Sequence, residues 1–256
     1  MQEQTRAALS KVPEVTLVFW VIKIAATTLG ETGGDALSMS LNLGYALSTL
    51  ILLFPFFLLV ALQIRSKAFY PYLYWAVIVG TTLAGTTMAD FADRSLGIGY
   101  PGGSAILFLL VVASLVLWRL SVGTVSVNNI VEPRVEMFYW LTILLSNTLG
   151  TALGDRTSEG TGFGGGVFLF IGLIAIVALL YFFTQVSRTI LFWTAFILTR
   201  PLGANMGDLL TKPHAEHGLE LSRFAASAAI ALFIILCIAF LPQRSGHHPD
   251  STKHAA

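Results

Sequence analysis

The sequence predicts an all-α membrane protein of eight transmembrane helices, built as four parallel copies of one helical hairpin. Two observations lead to this fold class. The 256 residues are 55% hydrophobic and only 11% charged, whereas soluble domains average about 25% charged residues. In addition, one motif recurs four times with the same internal spacing, which indicates an internal repeat.

The apolar runs are long enough for membrane helices, since a helix needs about 20 apolar residues to cross the hydrocarbon core. The first run contains Lys23, Glu31 and Asp35, which a cleavable signal peptide would not carry, so we expect it to be retained. The eight helices are predicted near residues 14–36, 42–64, 71–93, 103–122, 136–156, 166–187, 189–211 and 219–241.

These helices pair into repeats at about residues 14–66, 69–122, 134–187 and 188–242. Residues 1–242 are therefore predicted to form a single transmembrane domain, followed by a disordered polar tail at 243–256. The short loops on the side of the two termini carry more lysine and arginine than the loops on the other side. This bias predicts that both termini are cytoplasmic.

The repeats align without a gap from Phe19, Tyr74, Tyr139 and Phe192. A tryptophan stands second in each repeat, and we expect it to anchor the helix at the membrane interface. Two small residues follow at a spacing of four, which lets helix backbones approach closely, so we interpret them as packing positions. The tryptophans are Trp20, Trp75, Trp140 and Trp193, and the small residues are Gly30 and Gly34, Gly85 and Ala89, Gly150 and Gly154, and Gly203 and Gly207.

An aspartate directly follows the second small residue in every repeat. Measured from the tryptophan, it lies about 22 Å further along a helix with a rise of about 1.5 Å per residue. Four carboxylates at one depth, toward the non-cytoplasmic side, are therefore expected. The four aspartates are Asp35, Asp90, Asp155 and Asp208.

The first helix of each hairpin holds nearly all of the polar residues predicted to lie within the membrane, and the second helix is almost purely apolar. Because polar groups in a membrane face the protein interior, we place the odd helices inside and the even helices outside. Lys23 and Arg200 lie within odd helices and have no acidic residue within one turn. Their partners must come from other helices, with Glu31, Asp35 and Asp208 as candidates.

Two functions remain open at this point. In the first, the chain is a small transporter or channel for a divalent metal ion or protons, since carboxylates and hydroxyls are the ligands of hard cations. The four aspartates are then metal ligands, and the ion pathway consists of Asp35, Asp90, Asp155, Asp208, Glu31, Lys23 and Arg200. In the second, the chain is a non-transporting interaction or sensor protein, in which each aspartate only ends or caps a helix. Local pairs such as Asp90 with Arg94, or Asp155 with Arg156, fit that alternative.

Other functions are disfavoured. No nucleophile with a neighbouring base is visible in the predicted spans, so we do not expect an enzyme or a cofactor. A net charge of +1 leaves no basic face for nucleic acid. The lipid bilayer and a cation are the expected partners, and the oligomeric state stays open.

The repeat resembles an uncharacterised family of bacterial multi-spanning inner-membrane proteins, built from a repeated helical hairpin with a Gly-Asp motif. The resemblance rests on KIAATTLGETGGD in the first copy and GDLLTKP in the last, and it extends from about Pro13 to Pro242. Repeat two departs from the pattern, with Ala89 in place of the glycine before the aspartate. The resemblance implies eight helices and a location in the cell inner (plasma) membrane, but no activity.

Overall fold

The computed structural model describes residues 11–127, 130 and 132–246, which form seven α-helices joined by short connections. Side-chain caps start two of these helices. Thr16 accepts a hydrogen bond from the Phe19 N–H at the start of the first helix. The helices are α1 (Leu17–Asp35), α2 (Gly44–Arg65), α3 (Pro71–Asp90), α4 (Gly99–Val122), α5 (Pro133–Phe183), α6 (Arg188–Thr211) and α7 (Arg223–Phe240).

Helix α5 contains both the fifth and the sixth predicted helix. The boundary between them falls near Gly162, whose φ of 69° and ψ of 169° are not helical. A backbone of this kind favours glycine because it has no Cβ. The Asn205 amide donates to the Gly154 carbonyl, and the same side chain lies against Gly166. Since one side chain touches residues on both sides of Gly162, the chain turns back there, as the third hairpin requires.

In the described part of the chain, four helices are long and apolar enough to cross a membrane, and they include the second helix of every repeat. These helices are Gly44–Arg65, Gly99–Val122, Pro133–Phe183 and Arg223–Phe240. At most 22% of the residues in their most apolar windows are buried inside the protein, so their side chains present an apolar surface outward. Such a surface is typical of contact with lipid, and the chain therefore has the helices of a multi-pass membrane protein.

The first helices of the four repeats, which are α1, α3, residues 133–161 of α5, and α6, surround a common axis. We call them the inner helices. A glycine of each inner helix packs so closely on the next one that an added Cβ would crowd it. The contacts join Gly30 with Thr82, Gly85 with Asn147, Gly150 with Arg200, and Gly203 with Thr27. Each neighbour occupies the same position, eight residues after the start of its repeat, and the fourth contact closes the ring.

A second set of equivalent contacts lies nearer to the chain termini. The first aromatic residue of every repeat packs against the tryptophan of the next repeat around the ring. The ring centroids are 5.5 Å apart for Phe19 and Trp75, 5.6 Å for Tyr74 and Trp140, 6.3 Å for Tyr139 and Trp193, and 5.9 Å for Phe192 and Trp20. The prediction that these tryptophans are interfacial anchors is wrong, because three of them are buried between inner helices.

The end of the bundle that carries both chain termini, here called the terminal face, is covered by two short segments that pair with each other. The Glu14 N–H donates to the Arg244 carbonyl over 2.9 Å, and Pro13 and Ser245 form an isolated antiparallel bridge. Residues 243–246, predicted as the start of a disordered tail, are instead ordered by this pairing. Residues 247–256 lie outside the described part of the chain.

Adding one methyl group at the ring contact is expected to destabilise the protein. In Gly30→Ala the new Cβ would lie 2.9 Å from the backbone carbon of Thr82, and overpacking of this kind costs about 1–3 kcal/mol. Gly172→Ala in the outer part of α5 is the matched control, since a Cβ there meets nothing within 4 Å. Thermal unfolding in detergent should show a lower Tm for the first variant alone, and equal Tm values would contradict the tight packing of the ring.

Candidate functional site

The four repeated aspartates lie at one end of the inner helices, on the face opposite to the terminal face. Asp35 and Asp90 end α1 and α3, while Asp155 and Asp208 lie within the last turns before the connections to the outer helices. All four are buried, and so is Glu31, which lies one turn below Asp35 on α1. We call these five residues the carboxylate layer. The sequence-derived expectation of four carboxylates at one depth agrees with this arrangement.

Lys212 joins two members of the layer that come from different repeats. Its ammonium lies 2.7 Å from Asp35 Oδ2 and 3.1 Å from Asp208 Oδ1. Lys212 follows Asp208 by four residues and directly follows α6, so the end of that helix places the ammonium between the two carboxylates. Because the side chain is only 10% exposed, this pair is shielded from bulk water and is stronger than a surface ion pair.

Arg94 joins the other two aspartates in the same way. Its guanidinium lies 3.1 Å from Asp90 Oδ1 and 3.2 Å from Asp155 Oδ2. The π-helical turn Phe91–Ser95 that continues α3 positions this arginine. The guanidinium also donates to the hydroxyls of Tyr45 and Tyr100, and 32% of the side chain is exposed. Arg94 therefore connects the buried carboxylates with solvent at the opposite face.

The layer carries more negative than positive charge. Four basic side chains lie within 2.7–3.7 Å of its five carboxylates, and they are Lys212, Arg94, Arg200 and Arg223. When every group is ionised, one negative charge is left over. A like-charge excess in a low dielectric favours the uptake of a proton or of a cation.

Three members of the layer have oxygens close enough to share one ion. One carboxylate oxygen from each of Glu31, Asp155 and Asp208 lies within 4.8 Å of the other two. Oxygen is the ligand that hard cations prefer. In addition, Asp90 Oδ2 and Asp35 Oδ1 are buried and have neither a hydrogen-bond nor an ion-pair partner among the described residues. The layer thus offers spare acceptors beside a group with metal-ligand spacing.

Arg200 occupies the axis of the ring, on the terminal side of the carboxylate layer. Its guanidinium nitrogen Nη2 lies 3.0 Å from Glu31 Oε2, 2.5 Å from Thr86 Oγ1 and 2.6 Å from Thr151 Oγ1. These partners stand at the same position of repeats one, two and three. A group that contacts one equivalent residue from each of the other three repeats must lie at their centre.

Lys23 lies nearer to the terminal face and has a different environment from the one expected. Its ammonium donates to Asn147 Oδ1 over 3.1 Å and lies 4.1 Å from the centre of the Phe196 ring. Among the described residues no carboxylate lies within ion-pairing distance of it. The expectation that Lys23 pairs with Glu31, Asp35 or Asp208 is therefore wrong, because those acids lie further along the axis. For Arg200 the partner found is Glu31, one of the three candidate acids.

The ion pathway predicted from the sequence does not include Arg94, Lys212 or Arg223. Arg94 and Lys212 lie in predicted connections between helices, and Arg223 lies near the start of the last predicted helix. A signal was present for two of them, because Arg94 and Lys212 each follow a repeat aspartate by four residues, the spacing of helical ion pairs. The suggested pair of Asp90 with Arg94 is found at 3.1 Å. The suggested pair of Asp155 with Arg156 is not, because Arg156 pairs with Glu159.

The repeats also match a known family. Residues 18–69, 73–124, 138–187 and 191–245 each match a family model described as a Repeat of Unknown Function (DUF347). These four stretches cover most of the chain and coincide with the four hairpin repeats derived from the sequence. No curated protein and no solved structure matches the chain.

Proposed function

This chain belongs to the DUF347 repeat family, and we propose that it is a transporter of a small cation whose binding site is the carboxylate layer. The observation that carries the proposal is the meeting of five buried carboxylates from all four repeats around one axis. Ionisable groups within a membrane are costly, and they mark ion pathways when they face an interior of this kind. We place the protein in the inner (plasma) membrane with both termini cytoplasmic, on the lysine and arginine bias of its loops.

Transport by this site is an exchange of cations. The carboxylates are held by Lys212, whose side chain is nearly buried, and by Arg94, whose side chain is partly exposed on the opposite face. An entering ion competes with these tethered groups for the same oxygens, and its departure lets them return. The layer thus never holds five uncompensated carboxylates, which would repel one another strongly in a low dielectric.

The charge of the layer favours an ion of single charge. Its excess of one negative charge is balanced by one proton or one monovalent cation when the four basic partners stay in place. A divalent ion adds one charge too many unless a basic side chain leaves. Protons and monovalent cations are therefore the proposed cargo of the intact site, and divalent ions require the displacement of Lys212 or Arg94.

Removing one charge from the layer is expected to abolish flux. Asp35→Asn and Asp208→Asn keep the shape of the side chain but leave Lys212 with one carboxylate in place of two. We expect uptake of protons, sodium or potassium into proteoliposomes by the wild type, and at least a tenfold lower rate in both variants. Glu159→Gln is the matched control, since Glu159 is 48% exposed and, among the described residues, pairs with Arg156 alone. Normal flux in both aspartate variants would refute the proposal.

A second function is favoured by one observation, namely that protein cations already contact every carboxylate of the layer. This pairing suits a non-transporting interaction or sensor protein, in which the charges only hold the helices together. That function predicts no flux of any ion through folded wild-type protein, together with a lower Tm for Asp35→Asn. Measurements of ion flux and of the Tm of Asp35→Asn therefore distinguish the two functions.

A further inference from the structure

The repeat position occupied by Arg200 carries a charged residue in the fourth repeat only. The equivalent residues of repeats one to three are Thr27, Thr82 and Asn147. The two threonines donate to backbone carbonyls of the preceding inner helix, Thr27 to Thr199 and Thr82 to Ala26. The threonines thus form hydrogen bonds between neighbouring inner helices. Of the four equivalent side chains, the arginine alone is long enough to reach the axis.

The neighbouring glycine makes this reach possible. A Cβ on Gly150 would overlap the aliphatic part of the Arg200 side chain, so the missing side chain leaves the path along which the arginine extends. At its end the guanidinium donates to Glu31, Thr86 and Thr151, and also to the Thr27 carbonyl over 3.4 Å. The planar group thus spans the space between the inner helices.

The two sides of Arg200 differ sharply in their contact with solvent. On the side of the opposite face, Arg94 and Arg223 are 32% and 22% exposed while they contact the carboxylate layer. On the terminal side, Lys23, Thr81 and Asn147 are fully buried. Beyond them lies the aromatic ring contact formed by the repeat tryptophans. Among the described residues, solvent therefore contacts the basic partners of the buried carboxylates on the opposite face, whereas the polar side chains just beyond Arg200 on the terminal side have no such contact.

We propose that Arg200 is the seal of the transport pathway and the residue that excludes free passage of cations along the axis. The proposal rests on the proposed transport function. A cation bound at Glu31, Asp155 and Asp208 meets the guanidinium next, and like charges close together in a protein interior repel each other far more strongly than in water. Passage requires Arg200 to leave Glu31. The layer then exchanges ions with the opposite face alone, past its partly exposed partners Arg94 and Arg223.

Cysteine labelling tests the seal without any measurement of flux. The natural Cys237 is replaced by alanine, and Thr81→Cys places a thiol on the terminal side of Arg200, where Thr81 accepts a hydrogen bond from the Asn147 amide over 2.7 Å. A membrane-impermeant, positively charged thiosulfonate reagent is applied to each face of sealed vesicles in turn. Glu159→Cys, at an exposed position near the opposite face, reports that the reagent is active.

With Arg200 present we expect no labelling at position 81 from either face. With Arg200→Gln we expect labelling from the opposite face at a rate at least tenfold higher, and none from the terminal face. Arg200→Lys is the second variant, which keeps the charge but lacks the planar fork that reaches three partners, and we expect a labelling rate between those of the protein with Arg200 and of Arg200→Gln.

Labelling of position 81 while Arg200 is present would overturn the proposal. So would an unchanged rate in the folded Arg200→Gln and Arg200→Lys proteins. These outcomes are independent of the transport assay. If Asp35→Asn loses flux but position 81 stays protected without Arg200, the seal alone is wrong; if no variant or wild-type protein moves ions, the transport function is wrong.

Discussion

Replacing Arg200 by methionine should lower the free energy of unfolding by about 3–5 kcal/mol, since removal of one partner leaves a buried and uncompensated charge. That partner is Glu31, which would lose the guanidinium 3.0 Å away. Thr86 and Thr151 would lose a charged donor at the same time. The measurement is equilibrium unfolding in mixed micelles with increasing amounts of a denaturing detergent.

A double-mutant cycle identifies the interaction responsible. Arg200→Met combined with Glu31→Gln removes both charges, so the double variant should be more stable than Arg200→Met alone. Arg156→Met is the matched control, because the pair of Arg156 and Glu159 is exposed and worth at most about 1 kcal/mol. Strictly additive effects of the two buried substitutions would show that Arg200 and Glu31 do not depend on each other.

The ring explains why four similar repeats differ most near their axis. A strictly symmetric ring would place four identical side chains around one point, and four like charges cannot share a dry space without strong repulsion. The chain has one arginine at the axis, and the equivalent residues that face it are Glu31, Thr86 and Thr151. Because the repeats have diverged, one cation, one anion and two neutral hydroxyls meet at the axis. A symmetric ring would place four identical charges there, and these would repel one another.

The sequence predicted the inner and outer roles of the helices because polarity within a membrane has few acceptable locations. Spacing alone also located the aspartates at one level. It did not show that the tryptophans pack between repeats, since a tryptophan near a helix end fits a lipid interface equally well. Whether a neighbouring helix covers Trp75 or Trp140 depends on the closure of the ring, which is a tertiary contact.

The counter-ions were harder to predict for a related reason. Arg94 and Lys212 stand in connections, where a charge usually faces water. Their side chains turn back over the ends of α3 and α6 because each meets two carboxylates from different repeats. The second carboxylate of each pair, Asp155 or Asp35, is distant in sequence. Local spacing therefore predicts one ion pair of each basic side chain. The second ion pair depends on the packing of the four repeats into a ring.

Lys212→Met should convert the layer into a site for divalent cations. The substitution removes the ammonium between Asp35 and Asp208 and raises the excess of negative charge from one to two. An added unit of charge a few ångströms away changes the interaction with a divalent ion by several kcal/mol at an effective dielectric constant of about 20. We expect manganese or magnesium to bind at least tenfold more tightly, as measured by calorimetry on the purified protein.

Two controls make this expectation specific. Lys212→Arg keeps the positive charge and should leave the divalent affinity near that of the wild type. Arg156→Met removes a positive charge from an exposed pair outside the layer and should also have little effect, because water and salt screen it. If Lys212→Met binds manganese no better than these controls, Lys212 does not compete for the site, and the exchange of tethered and transported cations is wrong. If it alone binds more tightly, the wild-type lysine is the group that keeps divalent ions out.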